Sequence, residues 1–217
     1  MMAALVLASC GGEPAPLRIA VASNFHEAAR ELAVGFPGAE VIPGSTGKHV
    51  AQVLAGAPYD VLLAADTVRY RVLEGPRRIY ARGILAAWSP SADARTALAS
   101  PDSRIALANP DLAPYGTAAE QALTALRAPG QRVFGENVAQ AYQFARAGGV
   151  DVALVSWAQL SAGERAAAWR VPDSLYSPIV QGAVLLSDKP EARRFWDYLA
   201  SPDAARMIER SGYLAPE

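Results

Sequence analysis

Three short polar clusters stand where an apolar run gives way to a helical pattern: Ser23-Asn24, Gly44-Ser45-Thr46-Gly47 and Pro114-Tyr115-Gly116-Thr117. Each leads into a helix. Each therefore offers backbone N–H groups with no acceptor inside the helix, and the positive end of the helix dipole. Asn24 with Glu27, and Thr117 with Glu120, have the spacing of capping boxes. Taken singly, Ser, Thr and Asn before a helix read as end caps. Converging across a cleft, such starts would make an anion site from neutral donors, with no need of Arg or Lys. Strand ends that feed helix starts are also where open α/β sheets bind ligands.

Other chemistries fit worse. Gly44-Ser45-Thr46-Gly47-Lys48 ends like a phosphate-binding loop, but Ile42 occupies the position of its first glycine. His49 stands where a magnesium-binding Ser or Thr belongs. His26 and His49 both fall in the first turns of helices, with no Gly-x-Ser-x-Gly elbow in the chain, and read as surface residues. No His or carboxylate cluster has metal-ligand spacing. Asp60 and Asp66 bracket a buried strand and read as turn and capping residues, while Trp157, Trp169 and Trp196 read as core.

The elements that must position these clusters alternate strand and helix, the signature of α/β architecture. Leu17 to Ala22, Glu40 to Ile42 and Tyr59 to Ala65 read as strands of a first set. Between them, Phe25, Ala28, Ala29, Leu32, Ala33 and Phe36 follow the helical period, and Lys48 to Ala55 forms a second helix. A second set follows Ile84 to Trp88. It holds strands at Arg104–Ala108 and Val150–Val155 and helices at Ala118–Arg127 and Val138–Arg146. Ile179 to Leu186 reads as a returning strand, and helices at Glu191–Leu199 and Asp203–Ser211 end the chain, with Ser201-Pro202 as N-cap and first-turn proline.

With 217 residues and 52% hydrophobic content, the chain can bury one large domain or two small lobes. A net charge of −1 supplies no basic field for nucleic acid. No apolar run reaches the roughly 18–20 residues that span a bilayer. The single cysteine, Cys10, excludes an internal disulfide. It follows a short apolar stretch and Leu7-Ala8-Ser9, and precedes Gly11-Gly12-Glu13-Pro14-Ala15-Pro16, which resembles a bacterial lipoprotein signal and tether over residues 1–16. No Lys or Arg precedes the apolar run, as such a signal ordinarily has.

Several motifs, in order and at similar spacing, resemble the molybdate-binding proteins of bacterial ABC transporters. They are Val21-Ala22-Ser23-Asn24-Phe25, Gly44-Ser45-Thr46-Gly47-Lys48 and the run from Gly56 to Asp66. Tyr80-Ala81-Arg82-Gly83-Ile84-Leu85, Ala108-Asn109-Pro110, Ala113-Pro114-Tyr115-Gly116, Tyr176-Ser177-Pro178-Ile179 and Ser201 to Ala205 continue the likeness over nearly all of residues 17–217. The resemblance implies a two-lobed periplasmic-binding-protein type II fold whose chain crosses twice between lobes. Lobe one would be 17–87 plus 181–217, and lobe two 88–180.

It further implies a non-enzymatic receptor that holds molybdate or tungstate between the lobes with hydroxyls and main-chain N–H groups. Ser23, Asn24, Ser45, Thr46 and Tyr115 match the family's ligand loops, Val155 matches a backbone donor, and Tyr176 a tyrosine found in part of the family. No cofactor is implied. The implied partners are the oxyanion, a membrane permease and, through lipidated Cys10, the membrane of the periplasm or cell envelope, with the receptor a monomer that binds no nucleic acid. Sulfate, thiosulfate or phosphonate is the alternative ligand. Porphobilinogen deaminase and the sensor domains of transcription regulators share a related fold. The first needs its cysteine in the folded body and the second a DNA-binding segment before residue 17.

Overall fold

The computed structural model describes residues 16–216; Cys10 and most of its tether lie outside them. Four strands open the chain: β1 (Arg18–Ala22), β2 (Glu40–Gly44), β3 (Val61–Ala64) and β4 (Arg77–Gly83). Five follow: β5 (Leu85–Trp88), β6 (Arg104–Ala108), β7 (Gln131–Gly135), β8 (Val152–Ser156) and β9 (Trp169–Arg170), and β10 (Ile179–Leu185) comes last. The helices are α1 (His26–Leu32), α2 (Thr46–Leu54), α3 (Ala94–Ala99), α4 (Pro114–Ala125), α5 (Val138–Arg146), α6 (Ala162–Ala167), α7 (Pro190–Leu199) and α8 (Pro202–Arg210). No helix among the described residues is long and apolar enough to cross a membrane.

Two five-stranded sheets result, ordered β2-β1-β3-β10-β4 and β7-β6-β8-β5-β9. Within each, three strands run parallel, and β10 in the first sheet and β5 in the second lie antiparallel beside them. The chain thus leaves the first sheet between Gly83 and Leu85 and returns after β9. Leu85–Trp88 belongs to the second sheet, ahead of the 87/88 division drawn from the sequence, because the apolar run through Ile84 has no break in hydropathy there.

Side-chain alternation explains why the parallel strands read as continuous apolar runs: both faces are covered. In the first sheet Ile19, Val21 and Leu63 pack with Phe25, Leu32 and Phe195, while Ala20, Leu62 and Val184 face Val50 and Tyr70. In the second, Leu85, Ile105, Leu107 and Leu154 pack with α4 residues Ala119 and Leu123, while Ala86, Ala106, Ala153 and Val155 face α5 residues Ala141 and Ala145. The C-terminal segment closes lobe one. Leu214 and Arg82 exchange both backbone hydrogen bonds at 2.9 Å, pinning the tail to β4.

Several local expectations change. Neither expected capping box forms. Asn24 turns its side chain into the protein, Ser23–Phe25 is a 3-10 turn before α1, and α4 begins at Pro114, so Thr117 lies inside its first turn. Proline's fixed φ and missing N–H suit that first position. His49 is buried rather than superficial, whereas His26 is partly exposed. Trp196 is buried as expected, but Trp157 and Trp169 are half-buried, and each carries an arginine, Arg165 or Arg95, over its ring.

Candidate anion site between the lobes

A small cavity lies where the two sheets' strand ends meet. Lobe one contributes Ala22, Ser23 and Asn24 after β1, Gly44, Ser45 and Thr46 after β2, and Ala65 after β3. Lobe two contributes Ala113, Pro114 and Tyr115 at the start of α4, and Asn137 and Val138 at the start of α5. None of these is Asp, Glu, Lys, Arg or His. The space is far too small for a drug-sized ligand and suits a small ion at most.

The donors come from backbone and hydroxyl groups. Ser45 is the N-cap of α2, and its Oγ accepts only a long bond from Lys48 N at 3.4 Å, which leaves the hydroxyl proton free to turn inward. Thr46 Oγ1 accepts from Ala65 N at 3.0 Å and ties α2 to the end of β3. Tyr115 and Val138 occupy the second and first positions of their helices, where an N–H has no acceptor within the helix. Asn137 caps α5 through its side chain, accepting from Gln140 N at 3.1 Å. Three helices of at least nine residues, α2, α4 and α5, thus direct their N-termini at one point. Their dipoles and free N–H groups create positive potential without a charged side chain.

The lobes are shut over this cavity. Gly47 N donates to Leu112 O at 3.0 Å, Lys48 Nζ pairs with Glu136 Oε2 at 2.7 Å, and Arg69, held by Asp66, donates to Pro110 O at 2.8 Å. Each bond joins lobe one to lobe two. A wider groove between α1 and α5 holds about 1450 Å³ of atom-free space, but Glu27 and Glu31 line it beside Arg30 and Arg165. It would present an anion with carboxylates as well as cations.

Five of the expected site residues, Ser23, Asn24, Ser45, Thr46 and Tyr115, come together here. Val155 does not. It is an interior residue of β8 paired with Ala86, and its side chain is buried against α5. Val138, the first residue of α5, lines the cavity instead. Tyr176 is also elsewhere: its hydroxyl accepts from Leu85 N at 3.2 Å and donates to Asp173 Oδ1 at 3.0 Å, bracing the segment between the sheets. Tyr115 points its phenol away from the cavity to Ser156 Oγ at 2.9 Å, so the group it can offer a ligand is its N–H. Complete burial pushes that phenol well above its ordinary pKa and keeps it neutral.

His49, which the sequence marked only as a surface residue, is buried beneath the loop after β2. Its Nε2 lies 3.1 Å from Val21 O and its Nδ1 3.1 Å from Gln52 Oε1. A Cβ on Gly44 would lie 2.7 Å from the ring, so glycine is required for this fit. Burial holds the imidazole below its usual pKa, so it stays uncharged near neutrality.

The profile of bacterial extracellular solute-binding proteins matches residues 6–214. The chain belongs to that family. Among its solute-binding relatives, the molybdate-binding protein ModA of Azotobacter vinelandii is 35% identical over 95% of this chain and 93% of its own. That of Rhodobacter capsulatus is 33% identical, over 97% and 91%. The solved structure of the Azotobacter vinelandii periplasmic molybdate-binding protein superposes with a TM-score of 0.80, covering 93% of this chain and all of that one at 31% identity. The solute-binding chain described here therefore has the type II periplasmic-binding-protein fold, its two sheets joined by two passages of chain.

Proposed function

We propose that this protein is the extracytoplasmic receptor of an ABC importer for molybdate, accepting tungstate as well, and that it binds and delivers its ligand rather than transforming it. The observation that carries this reading is a cavity of ionic size, lined by uncharged residues, on which helix starts from both lobes converge. The names of the two curated relatives supply the ligand class.

A tetrahedral dianion loses a large solvation energy on leaving water and must find many aligned donors in exchange. Here the hydroxyls of Ser23 and Ser45 and the N–H groups of Asn24, Thr46, Tyr115 and Val138 fill that role. A protonated oxyanion would also need an acceptor. The carbonyl of Asn24 is turned to Tyr213 Oη, which donates to it at 2.6 Å, and no carboxylate or imidazole lines the cavity to serve instead. A fully deprotonated ion is therefore preferred over one that keeps a proton at neutral pH. Sulfate has the right charge but is smaller, and it would leave donors unsatisfied.

Lipid on Cys10 would tether the receptor, as a monomer, to the envelope beside its permease. Calorimetric titration with molybdate, tungstate, sulfate and phosphate tests the assignment. Molybdate and tungstate should bind tightly and alike, sulfate weakly and phosphate least. Tighter binding of sulfate than of molybdate would overturn the assignment in favour of a sulfate receptor.

A further inference from the structure

Behind the cavity, two elements distant in sequence converge on one residue, Asn24. Asn24 Nδ2 donates to Gln181 Oε1 at 2.9 Å and to Tyr213 Oη at 3.1 Å, so both amide protons are used inside the protein. Tyr213 Oη in turn donates to Asn24 O at 2.6 Å. Gln181 is completely buried at a register shift between β10 and β4, and its own Nε2 donates to Ile179 O at 3.3 Å. The Tyr213 ring packs edge-on against Phe25, centroids 5.0 Å apart, while the next residue is bonded to β4.

We propose that Tyr213, with Gln181, is a positioning residue for anion binding: it holds the Ser23–Phe25 turn so that N–H groups, and no carbonyl, face the cavity. Asn24 lines the cavity, yet its side chain is spent on this bracket, so it serves the ligand through its main chain. The Tyr213 hydroxyl grips the Asn24 carbonyl directly. Without it the peptide between Asn24 and Phe25 loses its buried donor. It becomes free to rotate an oxygen lone pair toward the place an anion occupies, where like charge repels. Because Leu214 bonds Arg82 in the strand that leads to lobe two, the same bracket ties the turn to the first passage between the lobes.

The inference rests on anion binding in this cavity, and the experiment separates the two claims. Wild type, Tyr213→Phe, Gln181→Met and Tyr80→Phe are titrated with molybdate, tungstate, sulfate and phosphate well below their melting temperatures, with fitted stoichiometry reporting the folded fraction. Tyr80 packs on the same Phe25 at 4.8 Å and donates to Ala64 O rather than to Asn24, so Tyr80→Phe reports the cost of removing a nearby buried hydroxyl. Tyr213→Phe keeps the ring and should weaken molybdate binding about five- to twentyfold at unchanged stoichiometry. Tyr80→Phe should lose stability and keep its affinity.

Gln181→Met should weaken binding in the wild-type background and have no further effect on affinity in Asn24→Ala, since its one bond to the Ser23–Phe25 turn runs to that side chain and its other goes to Ile179 O, within its own strand. Wild-type affinity in Tyr213→Phe, or equal losses in Tyr213→Phe and Tyr80→Phe, would overturn the positioning role. Absence of binding to all four ions by the wild type would instead overturn the functional reading beneath it.

Discussion

Replacing Val138 by proline deletes one N–H and little else that α5 needs. Val138 is the first residue of that helix, a position that has no helical acceptor and favours proline. Asn137 before it is extended, with φ −154° and ψ 171°, close to the conformation a residue preceding proline adopts. The Asn137 cap on Gln140 is untouched. Val138 is buried, and a proline ring of similar size should cost less than about 1.5 kcal/mol of core packing. The missing N–H, by contrast, would face a charged oxygen of the proposed ion, and hydrogen bonds to charged groups contribute roughly 1.5–3 kcal/mol. Val138→Pro should therefore weaken molybdate binding by about ten- to hundredfold with little change in melting temperature. Val138→Ala, which keeps the N–H, should lower the melting temperature while preserving affinity. Calorimetric titration paired with a thermal melt measures both. Wild-type affinity in Val138→Pro would refute the idea that the α5 start is a donor.

Four further outcomes follow from the same geometry. Ser45→Ala removes both a hydroxyl donor and the α2 cap, so affinity should fall by about ten- to hundredfold and stability by about 1 kcal/mol, read by titration and melting. Burial works to raise the pKa of Asp60, but bonds from Ser187 Oγ at 2.6 Å, Arg18 N at 2.9 Å and Lys189 Nζ at 3.2 Å outweigh it and hold the carboxyl below its ordinary value. That stabilisation is complete above the unfolded pKa of about 4 and fades as pH falls through the folded value. Urea melts of Asp60→Asn should accordingly show lower stability at neutral pH and a shallower decline below about pH 4. Gly83→Ala would place a Cβ on the Tyr115 hydroxyl, and this overpacking between the sheets should cost about 1–3 kcal/mol in a chemical melt. Cys10→Ala should release the protein from membranes on fractionation, and a variant that stays fully membrane-bound would remove the lipid anchor.

The parts of the fold that were legible are those where local chemistry and burial agree. β1, β3, β6 and β8 are apolar on both faces, and Ser45 and Ser201 are side-chain caps of helices that could be placed from their spacing. β7 and β4 escaped notice because they are edge strands, where alternating exposure admits Gln131, Arg132, Arg77 and Arg78 and dilutes the apolar signal. For the site, the reasoning about helix starts singled out Ser23, Ser45 and Tyr115, which line one cavity, although the capping boxes it expected at Asn24 and Thr117 do not form. Val138 opens a helix that the sequence also placed, behind an asparagine suited to capping, and the same logic would have found it. Resemblance carried the assignment to Val155 instead, a strand interior whose N–H belongs to a sheet. Nothing local marks Gln181 or Tyr213, because their role depends on contacts 157 and 189 positions away.

The two lobes differ in how they can come into being on a chain made from its N-terminus. Lobe two is one uninterrupted stretch from β5 to β9, so its sheet can close as soon as that stretch is free. Lobe one cannot, because β10 must slot between β3 and β4, and Leu214 must reach back to Arg82. Until then the early residues that carry Ser23 and Ser45 have an incomplete sheet beneath them. On the proposed reading, a partly made chain should hold no anion between its lobes until β10 and the Leu214 segment have arrived.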